Sequence, residues 1–430
     1  MKKILLISHL FYPNNLVGAM RPTKLAEFLS KKGYSVDVVT QDTCDDDSLS
    51  ADLSSIGKVF RLSETKISAE HKELHVKPVH TVEISAAVNK ICGIKIPQSA
   101  KMFRRAMALN KRAKVFRTNF KRLIDSGEIN VFDYDVVVTS FGPLHSLLCG
   151  FLVKKLNRKI KWICDFRDPV LLDSTPAVLK SKYRKYEISA CEKSDVVTAV
   201  SKGYKERVCG QKYENKSVVI PNGFDMNDIP KADVIKKNDK FTFTYVGALY
   251  DGRRDISKLF EALSELSKEG RINIDNVVFE YAGKGNGIDT LIHQAAKYSL
   301  ENIVHNNGLL KRKDCLQLQL KSDVLVLATW NTKEEKGVFP GKMIEYMLFD
   351  KPIISLVNGD LENCEITETI NKLNIGFSYE EMIGQAKFSE FKEYVCSLVN
   401  GTLKFAPDKE QIMEYEWNNI IKKFEAIING

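Results

Sequence analysis

The sequence predicts an α/β protein of two doubly wound, Rossmann-like domains facing across a cleft. Three observations carry that expectation. A chain of 430 residues is too long for one ordinary hydrophobic core and fits two of about 200 residues each. Short β-branched runs alternate with amphipathic helical patterns through both halves, which is the rhythm of βαβ units. Between the halves, Met226 to Lys240 is polar and lysine-rich and contains Pro230, the composition of a linker. The boundaries that follow are an N-terminal domain over 1–228 and a second domain over 239–408, with a last amphipathic segment over 409–430.

Composition narrows the class. Hydrophobic residues make up 44% of the chain and charged residues 28%, which is ordinary for a soluble globular protein. No apolar run approaches the roughly 20 residues that cross a bilayer. The opening MKKILLISHLF has the charge pattern of a signal peptide. Its apolar run is short, however, His9 interrupts it and no small-residue cleavage site follows, so it reads as a first core strand. Nine cysteines without a Cys-x-x-Cys pair argue against zinc ribbons and disulfide frameworks and read as the reduced thiols of a cytoplasmic enzyme. The formal charge of +9 admits nucleic acid, an anionic membrane surface or an anionic substrate as partner. No nucleic-acid motif is present, and that partner is set aside.

In chain order, Lys3 to Ser8 is a β-like run, followed by the loop HLFYPNNLVGAMRP, the helix LAEFLSKKG ended by Gly33, and a strand at Val36 to Thr40. This order implies a parallel sheet with ligands at the strand carboxyl ends. Gly18 and Arg21 sit in the first loop, where small backbone and positive charge can approach a phosphate or an acceptor. Without GxGxxG, a dinucleotide site has little support. Lys101 to Arg122 holds many Lys and Arg, no acidic residue, and interleaved Met102, Phe103, Met107, Leu109, Val115, Phe116 and Phe120. That composition fits a basic helix on an anionic leaflet and fits equally a solvated helix packed on the first domain. Asp135 to Ser140 is a buried strand with His145 at its exit, where a polar side chain can touch substrate. Lys161 to Cys164 is the next strand and runs into DFRDP, whose Asp165, Arg167 and Asp168 a core would not tolerate unpaired.

The second domain opens with a strand, Phe241 to Val246, ending at Gly247. A helix begins near Ile256. The intervening Arg253 and Arg254 suit a diphosphate, because guanidinium binds phosphate oxygens bidentately. Val277 to Ala282 precedes the loop GKGNG, a place for close backbone approach. Val324 to Ala328 delivers the segment GVFPGKMIEYMLFDKPII, in which Pro340 and Gly341 shape a turn. Met343, Ile344, Met347 and Leu348 then recur at helical spacing and Glu345 interrupts them. The free amides at Gly341 and Lys342 and the positive end of the helix dipole favour phosphate, and a carboxylate one turn on can accept from ribose hydroxyls.

This segment resembles the donor-site loop and helix of the family-4 glycosyltransferases (glycosyltransferase group 1 type), retaining enzymes of the two-domain GT-B fold. Their pattern is Glu, seven residues, Glu. The resemblance implies that Glu345 binds the donor ribose and that the first, sugar-contacting Glu is replaced here by Gly337, with Glu334 and Glu335 just upstream. It implies that backbone from Gly308 through Leu309 and Leu310 to Lys311 binds the nucleobase. The Gly247 loop would grip the diphosphate, with Arg254 on the family's second basic position, Ala248 in place of the first arginine, and Arg253 adjacent. By the same resemblance Gly18 lies beside donor phosphates and acceptor, DFRDP, with Asp165 and Arg167, has an acceptor-side or structural role in the cleft, and the last helix crosses back onto the first domain.

The function so implied is metal-independent, retaining transfer of a sugar from a UDP- or GDP-linked donor to a glycan or lipid-linked acceptor. Arg253 and Arg254 would stabilise the leaving group, and no cofactor beyond the nucleotide sugar would be needed. Cell-surface polysaccharide or glycolipid synthesis on the inner face of the cell membrane fits the family and the basic segment 101–122. Two other readings stay open. A nucleotide-sugar 2-epimerase needs carboxylates around the sugar for proton transfer, and Gly337 lacks one. A nucleotide-sugar-binding assembly protein without turnover is favoured by that loss and by Ala248.

Overall fold

The computed structural model describes residues 2–14, 17–42, 51–63, 97–142, 144–171, 175–229, 238–285 and 287–430. Most of the anticipated linker lies outside them. The chain divides into two compact units: 1–200 with 204–220 and 421–430, and 201–203 with 221–420. Residues 221–228 and 409–420, assigned from sequence to the N-terminal domain, thus group with the second unit.

The first unit holds a seven-stranded sheet of β1 (Lys3–Ser8), β2 (Ser35–Gln41), β3 (Val59–Leu62), β4 (Val136–Phe141), β5 (Lys161–Phe166), β6 (Val196–Ala199) and β7 (Ser217–Val219). The order is β3-β2-β1-β4-β5-β6-β7 and every pairing is parallel. Its helices are α1 (Val17–Lys31), α2 (Gln98–Asp125), α3 (His145–Leu156), α4 (Ala177–Lys193) and α5 (Lys202–Cys209), whose first two residues group with the second unit. A parallel sheet is covered on both faces, which is why β4, VVVTSF, is buried at every position. Phe116 and Phe120 of α2 enter the core beside Trp162 of β5, while Phe103 and Met107 of the same helix are exposed.

The second unit repeats the plan with β8 (Phe241–Val246), β9 (Val277–Ala282), β10 (Val304–Asn306), β11 (Val324–Trp330), β12 (Ile353–Asn358) and β13 (Gly376–Glu380). The order is β10-β9-β8-β11-β12-β13, again all parallel. Around it lie α6 (Ser257–Lys268), α7 (Gly287–Ala296), α8 (Arg312–Lys321), α9 (Gly341–Tyr346), α10 (Glu365–Leu373), α11 (Gln385–Val399), α12 (Lys409–Met413) and α13 (Trp417–Asn429), the last running into residues grouped with the first unit. The strand order reverses between β1 and β4 and between β8 and β11, and such reversals open a crevice at the strand carboxyl ends.

Two local expectations need correction. Helix α1 begins at Val17 and contains Pro22, where a loop through Pro22 is the sequence expectation. Proline cannot donate to the carbonyl four residues back, and that carbonyl, on Gly18, accepts instead from Arg167 Nη1. Strand β5 extends past Cys164 to Phe166 because Ser140 and Phe141 pair with Asp165 and Phe166, so Asp165 lies inside the sheet. Helix α9 is short; it tightens into a 3₁₀ turn over Met347–Phe349 and stops at Asp350, which is left-handed at φ 50°. Among the described residues no helix is long and apolar enough to cross a membrane.

Candidate active site

The carboxyl ends of all six strands of the second sheet lie along one edge, since all run parallel, and the loops after β8, β10 and β11 share it. After β8, Gly247 turns the chain at φ 138°, and Tyr250, Asp251 and Gly252 follow with positive φ. This tight loop aims two arginines at one indole. Arg253 lies 4.1 Å from the Trp330 ring and Arg254 5.5 Å, with Arg254 also 4.7 Å from the Tyr250 ring. Arg254 donates to the carbonyl of Ala248 at 3.1 Å, and Tyr245 Oη donates to the same carbonyl at 2.9 Å. Ala248 thus serves by its backbone carbonyl. Arg253 pairs with Glu335 at 2.9 Å, yet its side chain remains 40% exposed. Two fixed guanidiniums on an aromatic floor, reachable from solvent, can bind a polyanion.

The glycine-rich loop after β9 behaves differently from expectation. A Cβ at Gly283 or at Gly287 would collide with the hydroxyl of Tyr281. The glycines make room for that tyrosine, which stacks on Tyr245 at 6.2 Å and donates to the Gly247 carbonyl at 3.3 Å. After β10, Gly308 is left-handed at φ 66°; its carbonyl accepts from Gly283 N at 2.9 Å, and Leu309 beside it is 72% exposed. Leu310 precedes α8 and its carbonyl lies 3.7 Å from Cys315 Sγ.

Beyond β11, Pro340 caps α9 and Gly341 is its first residue. Glu345 is buried among cations. It accepts from Lys342 Nζ at 2.6 Å, Arg312 Nη1 at 2.8 Å and Gln319 Nε2 at 3.0 Å. Burial alone would raise its pKa, but Lys342 and Arg312 outweigh that and hold it down at about 2. Arg312 also reaches Asp228 at 3.4 Å. Gly337, where the family's first Glu would stand, has φ 84°, a conformation glycine adopts without strain and glutamate does not. A Cβ on Gly203 would lie 2.4 Å from its Cα, and its carbonyl accepts from Ser201 Oγ at 2.7 Å.

In the first unit the singled-out residues form an internal lock. Asp165 is fully buried and accepts from Arg21 Nη2 at 2.7 Å, Thr198 Oγ1 at 2.6 Å and Ser140 Oγ at 3.1 Å. Burial opposes its ionisation, and the Arg21 charge overcomes that and lowers its pKa. Arg21 is equally buried and also donates to the Ile220 carbonyl at 2.9 Å. Arg167 donates to the carbonyls of Phe141 at 3.2 Å, Gly142 at 2.7 Å and Gly18. A Cβ on Gly18 would meet Leu10 Cδ1 at 2.8 Å and Arg167 Nη1 at 2.9 Å, so this glycine accommodates the protein's own side chains. His145 opens α3 with no exposed surface, its ring 3.9 Å from that of His9. Of the residues expected at the acceptor side, Arg21, His145, Asp165 and Arg167 are buried, and the hydrogen bonds of Arg21, Asp165 and Arg167 described above run to the protein itself, which agrees with the structural one of the two roles that the resemblance implies for DFRDP.

The structure thus joins Gly247, Arg253 and Arg254 at the β8 end and joins Lys342 to Glu345. Sequence reasoning missed Trp330, Arg312 and Gln319. An aromatic as the last strand residue before a polar turn was the available signal for Trp330; the other two sit on a short, mostly polar helix and gave none.

Two family models match the chain, Glycosyltransferase Family 4 over residues 22–228 and Glycosyl transferases group 1 over residues 225–372. No curated protein sequence matches it. Among solved structures, a sucrose-phosphate synthase from Thermosynechococcus elongatus is similar with a TM-score of 0.61 at 16% identity, covering 100% of this chain and 98% of that one. A trehalose-6-phosphate protein from E. coli, bound with UDP-2-fluoro glucose, gives 0.63 at 12% identity, covering 99% and 98%. A UDP-GlcNAc 2-epimerase from Methanocaldococcus jannaschii gives 0.55 at 11%, covering 100% and 99%. At these identities the structural likeness speaks for the fold alone.

Proposed function

The chain belongs to the family-4 and group 1 glycosyltransferases, enzymes of the GT-B fold, and on that premise we propose retaining, metal-independent transfer of a sugar from a nucleotide-sugar donor to a hydroxyl acceptor. The observation that carries this is the Arg253 and Arg254 pair on Trp330 where the second sheet reverses. As the glycosidic bond breaks, the diphosphate gains negative charge. Guanidiniums already held in place stabilise that charge without reorganising. Attack on the same face as departure lets the leaving phosphate take the acceptor's proton, so no separate base is required.

Glu345 is proposed to hold the pentose. A carboxylate offers about four lone-pair sites; three protein donors use three of them, and a ribose hydroxyl can take the fourth. A pKa near 2 keeps this group an acceptor at neutral pH. The loop Gly308 to Leu310 is proposed for the base, with exposed Leu309 offering apolar surface to its ring.

Helix α2 is proposed to bring the enzyme to the inner face of the cell membrane, where a glycan or lipid-linked acceptor for cell-surface polymer or glycolipid synthesis would be met. It carries nine basic residues and only Asp125 as an acid, and Phe103 and Met107 are exposed at its N-terminal half. Co-sedimentation with phosphatidylglycerol vesicles, absent with phosphatidylcholine vesicles, tests this.

The activity test is incubation with a panel of radiolabelled UDP- and GDP-sugars. Transfer or slow donor hydrolysis supports the reading. Release of a 2-epimer would replace it with epimerase chemistry, and binding without turnover with an assembly role.

A further inference from the structure

We infer that Glu335 is a positioning residue for Arg253, and that these two side chains with the Trp330 indole form a clamp reading the second phosphate of the bound nucleotide. This rests on the nucleotide-sugar reading and adds to it a residue outside the Glu, seven residues, Glu pattern. One oxygen, Glu335 Oε2, accepts from both Arg253 Nη2 at 2.9 Å and Trp330 Nε1 at 2.7 Å. The two donors come from different strand ends and meet on that atom. The turn that delivers Glu335 is itself fixed: Glu335 N donates to Thr332 Oγ1 at 3.1 Å, Asn331 N to the Asn358 carbonyl at 2.8 Å, and Lys333 N to Asp360 Oδ1 at 3.1 Å. The Glu335 side chain is 10% exposed and so cannot swing far.

Arg253 needs such an anchor. It follows Tyr250, Asp251 and Gly252, all with positive φ, and so leaves from a turn rather than from a helix or strand. An unanchored arginine loses rotamer freedom only when the ligand arrives, at the expense of affinity. Held over the indole by a carboxylate at one edge, the guanidinium has lost that freedom in advance. A negative charge beside an anion site also repels the anion, and the positioning role requires that anchoring outweigh repulsion.

The test is calorimetric titration of the full chain with UDP, GDP and ADP and with the matching monophosphates. Glu335→Gln keeps an acceptor for Trp330 and removes the charge that holds Arg253. It should weaken the diphosphate that binds best about tenfold and leave its monophosphate unchanged. Arg253→Ala should remove at least as much, and adding Glu335→Gln to it should cost nothing further, because the second residue acts only through the first. Equal loss of mono- and diphosphate, additive losses in the double variant, or a gain of diphosphate affinity in Glu335→Gln would each overturn the inference. Wild-type protein that binds none of the diphosphates would instead end the nucleotide-sugar reading, and this inference with it.

Discussion

The first sheet, at the carboxyl end of β5, and the second, beyond β8 and β11, both carry charged residues at strand ends, and they treat them in opposite ways. In the first unit Arg21, Asp165 and Arg167 are buried and satisfied by one another, by hydroxyls and by backbone carbonyls. In the second, Arg253 and Arg254 are laid on an indole and Arg253 keeps 40% of its side chain exposed. Charge at a strand end is therefore not in itself a binding site. A guanidinium whose donors are consumed inside the fold holds the fold together, whereas one laid on an indole and partly exposed keeps capacity for a ligand. DFRDP and GRRD look alike as strings and differ in how many protein acceptors surround them.

The largest effect that would sharpen this contrast is on stability. Arg21→Ala leaves Asp165 as an uncompensated buried charge and should destabilise the first unit by about 3–5 kcal/mol, read by urea denaturation. A loss of under 1 kcal/mol would mean that Asp165 is not held as described. Next in size is acid sensitivity. Glu345 has a folded pKa of about 2, below its ordinary 4.5, so it stabilises the fold above the unfolded value and that contribution disappears as pH falls from about 5 to 2. The loss is about 3 kcal/mol, and Glu345→Gln should flatten the profile of stability against pH in that window.

Smaller effects fall on binding. Glu345→Ala and Arg254→Ala should each weaken nucleotide-sugar affinity by about 1.5–3 kcal/mol, the contribution of a charged hydrogen bond. Wild-type affinity and turnover in both would place the site elsewhere. Smallest, Gly337→Glu puts the family's missing carboxylate back at a φ of 84° and should lower stability by about 1–2 kcal/mol without raising the rate of sugar transfer. A faster enzyme would show that only the carboxylate was lacking.

Much of the architecture could be read from the chain. Alternating β-branched runs and amphipathic helices require buried parallel strands, and the two-sheet plan follows from periodicity and length. The pairing of Gly247 with Arg253 and Arg254, and the isolation of Glu345 within an apolar helix, were equally visible, since a charge that breaks a hydrophobic stripe must find partners. The partners themselves were not. Arg312 is 33 residues from Glu345, and Trp330 is 77 residues from Arg253 (330 − 253); nothing local ties either pair.

By itself the sequence determined most of the buried strands, though not β3 or β13, and that arginines and a carboxylate follow the strands of the second half. Only tertiary structure decided which of those charges are consumed. Strand β5 runs two residues longer than its apolar pattern, so Asp165 meets Arg21 inside the sheet; Tyr281 fills the space that Gly283 and Gly287 leave; and Glu335 folds back on Arg253 and Trp330. The reason is physical. Periodicity reports which face of an element is buried, a property of neighbours in sequence, whereas whether a charge is satisfied depends on groups that strand order brings together from far along the chain.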